Sequence, residues 1–328
     1  MGRLEGRTLA MQQVEKSLGG VTIEIATAAR AAVYGAPGRD LAEVAADAVQ
    51  MSPLIPGATA VETVADGTLD AATMLAPPGS LERRYELAQA LRALKPGGAL
   101  TALALKDKGG SRLRKELEAF GCIVTEESKR HHRICHAQRP TAPTGLDEAI
   151  AAGAPRLVQP LGLWSQPGVF SWDRVDPGSA LLAQTLPKLG GDGADLGCGI
   201  GWLAEQVLAN PKVTSVALID IDRRAIEAAR RNIIDPRAQI TWVDARGDHG
   251  LTGLDFVVMN PPFHDSGIED HGLGFAFIAA ARRALRKGGG LWMVANRHLP
   301  YEARLDELFR VVIPRADKSG FKVIEAKA

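Results

Sequence analysis

The sequence predicts an α/β protein made of two tandem Rossmann-like units, the first a degenerate copy of the second. Three observations lead there. The chain has 328 residues, room for two domains of ordinary size. Short apolar runs alternate with helical stretches, the pattern of parallel strands joined by helical crossovers. An internal echo is the third. Ala90-Leu-Arg-Ala-Leu-Lys-Pro-Gly-Gly-Ala-Leu100 matches Ala281-Arg-Arg-Ala-Leu-Arg-Lys-Gly-Gly-Gly-Leu291, each read as a helix, a Gly-Gly C-cap and a strand. Upstream, Leu69–Gly79 parallels Leu254–Phe263 with one inserted residue.

Composition narrows the classes. Basic and acidic residues nearly balance, 39 against 38, so no global basic field announces a nucleic-acid partner. Cys122, Cys135 and Cys198 show no CxxC spacing, which argues against a disulfide framework or a zinc site and for a reducing compartment. Met1–Arg7 lacks an apolar signal-peptide core, and no apolar run approaches the ~18 residues of a membrane span. A cytoplasmic protein with no metal is expected.

In chain order, the first unit is expected over 1–145. It carries a late basic cluster, Lys106, Lys108, Arg112, Arg114, Lys115, Lys129, Arg130 and Arg133, with His131 and His132, interrupted by Asp107, Glu116, Glu118, Glu126 and Glu127. The cluster reads as an RNA-backbone contact, against the plainer reading of a solvated helix face with paired charges. Arg139–Gly145 opens a linker and Gly153-Ala154-Pro155 closes it. The second unit is expected over 156–328. There Asp176–Leu186 reads as a capped helix, behind Pro167-Gly-Val-Phe-Ser171.

Next, Asp195-Leu-Gly197-Cys-Gly199-Ile-Gly201 ends a strand and opens the helix Trp202–Leu208. Alternate glycines let the backbone take φ > 0 and approach a ligand closely. A pyrophosphate loop would read GxGxxG. The acidic residue here suits instead a zwitterion whose ammonium Asp195 can hold. Val216–Asp220 is a second strand ending in a carboxylate, suited to the two hydroxyls of a ribose. Asp222 reads as the N-cap of a helix over Arg224–Asn232. Ile240–Asp244 with Ala245 is a third strand ending in an acid, suited to an adenine amine. A fourth, Leu254–Met259, delivers Asn260-Pro261-Pro262-Phe263 in a rigid loop, because two prolines cannot continue a ladder. The Asn260 side-chain oxygen and the Pro261 carbonyl can accept from a planar amine, and Phe263 offers a face for a base to stack on. Two such acceptors localise the amine's lone pair and stabilise the positive charge that grows as the nitrogen attacks. In the first unit Ala76 and Gly79 take the aligned places, so that copy is expected to be inactive.

These residues resemble the class I S-adenosylmethionine-dependent methyltransferases. Asp195–Gly201 looks like their glycine loop, Asp220 like their ribose acid, Asp244 like their adenine contact and Asn260–Phe263 like their amine-binding signature. More narrowly, Asn260-Pro-Pro-Phe-His-Asp265, Pro167-Gly-Val-Phe-Ser171, Val294-Ala-Asn-Arg-His-Leu-Pro300 and Gly320-Phe-Lys-Val323 resemble the bacterial 16S ribosomal RNA guanine-N2 methyltransferases, whose members pair a degenerate N-terminal domain with an active C-terminal one. The resemblance implies methyl transfer from S-adenosylmethionine to a guanine N2 amine. It also implies ribosomal RNA or the small ribosomal subunit as partner, with the protein acting as a monomer. Cofactor binding falls to Asp195, Gly197, Gly199, Gly201, Asp220, Asp244, Ala245 and Asn260, and catalysis to Asn260, Pro261, Pro262 and Phe263. Open alternatives are an adenine-N6 or protein-glutamine methyltransferase, families that typically carry Tyr where this chain has Phe263, and a non-catalytic RNA-binding or assembly protein.

Overall fold

The computed structural model describes residues 30–328 apart from 160, 263, 266, 267 and 270, and leaves out the side chains of 264, 265, 268, 269 and 271. The N-terminal stretch Met1–Arg7 and the stacking residue Phe263 therefore lie outside the described residues.

The first sheet is built from β1 (Ala31–Tyr34), β2 (Val49–Gln50), β3 (Leu69–Leu75), β4 (Leu94–Leu105), β5 (Val124–Lys129) and β6 (His132–Gln138), in the order β2-β1-β3-β4-β6-β5. A small hairpin of β7 (Arg156–Val158) and β8 (Leu163–Ser165) follows. The second sheet holds β9 (Gly191–Leu196), β10 (Val213–Asp220), β11 (Ala238–Trp242), β12 (Leu254–Met259), β15 (Leu285–Asn296), β16 (Val311–Lys318) and β17 (Phe321–Lys327), in the order β11-β10-β9-β12-β15-β17-β16. Between β12 and β15 lies a two-stranded hairpin, β13 (His264–Asp265) with β14 (Ile268–Glu269). In both large sheets one strand, β6 or β17, runs antiparallel to both of its neighbours, and the strands on the far side are parallel. The two orders are the same, strand for strand, except that β11 has no counterpart among the described residues of the first sheet.

The likeness extends to single bonds. Asp70 accepts the Arg30 N–H at 2.7 Å and pairs with Lys95 at 2.6 Å. Asp255 accepts the Asp192 N–H at 2.8 Å and pairs with Arg286 at 2.7 Å. Helix α1 (Ser80–Ala93) and helix α7 (His271–Ala284) are both 14 residues long and feed 12-residue strands. The glycine pairs behind those helices do not cap them. They lie inside β4 and β15, where Gly97 and Gly288 each take φ +79°. A Cβ on Gly98 or Gly289 would stand 2.9 or 2.8 Å from a backbone oxygen. The bulge needs glycine because carbonyls of its own turn and of the neighbouring strand stand too close for a side chain.

The stretch between the expected units is not bare linker. Leu146–Gly153 folds as α3, whose Ala149 sits in the first sheet's core, while Gly153 lies so close to Tyr85 that a Cβ would be 2.3 Å from it. Apolar residues of α1, α2 (Ser111–Ala119) and the strands complete that core. The second sheet is covered on both faces. One core takes Leu182 from α4 (Pro177–Thr185), Leu203 and Val207 from α5 (Trp202–Leu208) and Ile226 from α6 (Arg223–Asn232). The other takes Ile278 and Ala281 from α7 and Leu305 from α8 (Glu302–Leu308). Ligand sites of such open sheets lie beyond the carboxyl ends of the strands.

Candidate active site

A small cavity of about 60 Å³, open to solvent, lies at the carboxyl end of β9. Its lining includes Asp195, Gly197, Cys198, Gly199, Asn260, and from the α4 region Phe170, Asp176 and Ser179. The structure thus brings together Asp195, two of the three loop glycines and Asn260. Asp220, Asp244, Ala245 and Gly201 stand outside the immediate lining.

The glycine loop has the predicted conformation: φ is +75° at Gly197, +53° at Gly199 and +88° at Gly201. Gly201 is the N-cap of α5, and a Cβ there would stand 3.0 Å from Ile233. Cys198 is buried, and burial pushes its thiol far above the ordinary range, so it is a small, inert turn residue.

Asp195 is 1% exposed. Its Oδ2 has no hydrogen-bond partner among the described residues, and the nearby Ala204 N–H only partly offsets the cost of burial. Burial, reinforced by the charge of Asp220, pushes its pKa up to about 8. An unmatched acceptor in a cavity wall is a site for a cation, and it fits the ammonium of S-adenosylmethionine.

Asp220 works first on the protein itself. Its Oδ2 accepts the Gly199 N–H and its Oδ1 the Asp222 N–H, both at 2.8 Å. Burial raises its pKa to about 6 against those backbone donors. Each oxygen keeps a second lone pair for a ribose hydroxyl. Asp222 caps α6 through the Arg224 N–H, as its position predicted.

Asp244 departs from expectation. Strand β11 ends at Trp242, so the acid lies two residues beyond it. Its Oδ1 accepts the Arg246 N–H and its carboxylate is gripped by the Arg246 guanidinium at 2.8–3.0 Å. That local turn takes the chain away from the ladder. Ala245 beside it is buried.

Asn260 follows β12, and its Nδ2 donates to Asp176 Oδ1 at 2.8 Å and to Ser179 Oγ at 2.9 Å. The same Asp176 oxygen accepts the Ser179 N–H, the predicted cap of α4. Asp176 and Ser179 were legible only as a helix start, and nothing local in the sequence joins them to a loop more than eighty residues downstream.

A second unforeseen group ties the halves together. Arg224, 4% exposed, binds Asp222 at 2.8 Å and Glu82 of α1 at 2.7 Å. Beside it Arg223 reaches Glu62 at 2.8 Å, and its N–H donates to the Pro53 carbonyl. The loop carrying Asp220 and Asp222 is thus held by the first unit.

Comparison with known proteins agrees with this geometry. A family model described as the methyltransferase small domain matches residues 160–325. A protein of Pseudomonas paraeruginosa (strain DSM 24068 / PA7) named ribosomal RNA small subunit methyltransferase C is 31% identical over 290 residues, 86% of this chain and 87% of that one. A protein of the same name from Alteromonas mediterranea is 36% identical over 164 residues, 49% of this chain and 46% of that one. A solved structure described as T. thermophilus 16S rRNA N2 G1207 methyltransferase, in complex with AdoMet and guanosine, superposes with a TM-score of 0.66 at 25% identity, covering 84% of this chain and 75% of that one. The shared identity spans both units and not the catalytic half alone, and on that ground the chain belongs to the ribosomal RNA small subunit methyltransferase C family.

Proposed function

We propose that this protein transfers a methyl group from S-adenosylmethionine to the exocyclic N2 amine of a guanine in 16S ribosomal RNA. One observation carries the reading: Asp195, with its unmatched buried oxygen, and Asn260 line the same cavity. When bound, S-adenosylmethionine supplies an electrophilic methyl on a sulfonium. Asp195 holds the ammonium, Asp220 fixes the Gly199 turn and takes the ribose, and Asp244 and Ala245 flank the adenine. The Asn260 oxygen and the Pro261 carbonyl accept the two amine hydrogens. The N–C bond forms as the S–C bond breaks and the electron pair returns to sulfur. The methylated nitrogen then sheds a proton to water, so no strong protein base is required. Pro261 and Pro262 keep the loop rigid, and Phe263 stacks on a guanine taken out of its helix, at a cost of a few kcal/mol.

The first unit, over 1–145, supplies docking to folded RNA and the second, over 156–328, the chemistry. Within the basic cluster Arg114, Arg130 and Arg133 are paired with Glu118, Asp40 and Glu126. Among the described residues Lys106, Arg112, Lys115 and Lys129 make no ion pair and are exposed, so they remain for phosphates. Nucleoside mass spectrometry after reaction with labelled cofactor tests the assignment. N2-methylguanine in 16S RNA is expected. Label in N6-methyladenine or in protein glutamine would overturn it.

A further inference from the structure

We infer that Asp176 and Ser179, in the first turn of α4, are positioning residues that set the direction and polarity of the Asn260 amide. The inference rests on the reading of Asn260 as the acceptor of the substrate amine.

An asparagine amide is almost symmetric in shape, and rotation by half a turn exchanges an acceptor for a donor. Turned the wrong way, Asn260 would present NH2 to the guanine NH2, two donors face to face. Sequence cannot fix the choice, but the cavity does. Both Asn260 Nδ2 hydrogens are engaged, one by Asp176 Oδ1 at 2.8 Å and one by Ser179 Oγ at 2.9 Å. A carboxylate oxygen only accepts, so nitrogen must face it. A flipped amide would set its oxygen against the Asp176 carboxylate and lose that bond, since only the Ser179 hydroxyl, which can donate as well as accept, could follow the flip. Oδ1 is the one polar atom of the amide left for the substrate.

The holders are themselves held. Asp176 Oδ1 accepts the Ser179 N–H at 2.7 Å, and Pro177 occupies the first helical position, where its fixed φ suits the turn. Gly178 lies between them, with Phe321 of β17 so near that a Cβ would be 3.0 Å from the ring. Asn260 thus joins the loop after β12 to the helix that precedes β9, and neither partner can drift.

The bond to Asp176 also changes the amide's electronics. A hydrogen bond from Nδ2–H to a carboxylate is charge-assisted. It pushes electron density through the conjugated amide onto Oδ1, as linked hydrogen bonds polarise one another. A more negative Oδ1 is a better acceptor for an amine whose positive charge grows as it attacks. No proton moves along this path.

Ser179→Ala removes one acceptor and leaves the backbone cap. Asp176→Ser keeps a capping oxygen and removes the carboxylate. Each should lower kcat by about 10- to 100-fold, the scale of one hydrogen bond near or at a charged group, with cofactor affinity unchanged. In an Asn260→Ala background both losses should disappear, since the residues act through Asn260. Losses that persist undiminished there would make the pair a mere brace for α4 and overturn the inference. A second readout needs no substrate. The chain has four asparagines, so selective ¹⁵N labelling resolves each side-chain NH2. The Asn260 pair should be protected from solvent exchange and lose protection in either variant. Free exchange in the unmutated protein would also overturn the inference. If that pair is protected but no guanine is methylated, the functional reading fails and the positioning network stands.

Discussion

At the end of β9, Gly197 turns beside Asn260 and a cavity opens. At the matching end of β1, Gly35 makes the same turn with φ +80°, with the Leu75 side chain beside it. Register identifies the substitutions. Val258 pairs with Asp195, and Thr73 with Val33, so Val33 stands at the place of Asp195. Two residues beyond the Asp195–Leu218 and Val33–Gln50 pairs lie Asp220 and Ser52. Leu75 and Ala76 follow Met74, where Asn260 and Pro261 follow Met259. The strand ahead of Asp244 has no counterpart among the described residues. What both units keep is structural: the Asp70–Lys95 and Asp255–Arg286 pairs and the Gly97 and Gly288 bulges. Fold and chemistry are thus written at different positions, and losing the second leaves the first intact.

The first unit is more than a passenger if its contact with Arg224 matters to the second. Arg224→Ala would leave Asp222 and Glu82 facing each other with little water, a loss of about 3–5 kcal/mol for a broken buried pair. The urea midpoint should fall accordingly. An unchanged midpoint would mean that the two units merely lean on one another.

Asn260→Ala should convert the second unit toward the condition of the first without unfolding it. Removing one preorganised polar group costs about 100- to 1000-fold in kcat. Cofactor affinity should change little beside that loss. Turnover within a few-fold of the unmutated enzyme would eliminate the amine-gripping mechanism.

Much of this contrast is readable from the sequence. The glycine loop, the Asp222 cap, β12 and α5 were legible because each is set by neighbours within a few residues. Three readings failed for the complementary reason. The Gly-Gly pairs look like helix caps in one dimension, and the strand register, with the Asp70 or Leu254 carbonyl passing close, makes them bulges. Asp244 looked like a strand end because Arg246 was not foreseen as its partner. Leu146–Gly153 looked like linker because a short helix is stabilised by its packing on α1, not by its own sequence. Arg224 and Asp176 read as ordinary helix starts, since their partners are 142 and 84 residues away.

The cofactor sharpens the comparison through protons. One S-adenosylmethionine per chain is expected, since Val33 offers the first unit no acid. Asp195 has its pKa raised to about 8, far above the ~3.9 of an unfolded chain. Between those values the folded protein holds a proton that the unfolded one does not, so this group makes the cofactor-free protein less stable as pH rises through that window. An ammonium reverses the preference by favouring the carboxylate. At pH 7, binding should therefore release close to one proton, about the full change expected for a group so raised. Calorimetry in buffers of different ionisation enthalpy measures it, and Asp195→Asn should abolish it. Release that survives the substitution would assign the proton elsewhere.

The smallest expected effect concerns the RNA docking proposed for the first unit. Three of its exposed cations, Arg112, Lys115 and Lys129, sit on α2 and on the edge strand β5, at the rim of the sheet farthest from β2. A nearly neutral protein cannot hold bare duplex tightly through phosphates alone, so these residues should add a local term to shape recognition and not supply all of it. Arg112→Gln, Lys115→Gln and Lys129→Gln together should weaken binding to 16S RNA and flatten the slope of log K against log salt by about one for each phosphate no longer neutralised. Cofactor affinity and the identity of the methylated base should be unaffected, because neither depends on this surface. An unaltered salt slope would remove the patch from the RNA interface and leave the first unit with only its bracing role around Arg224.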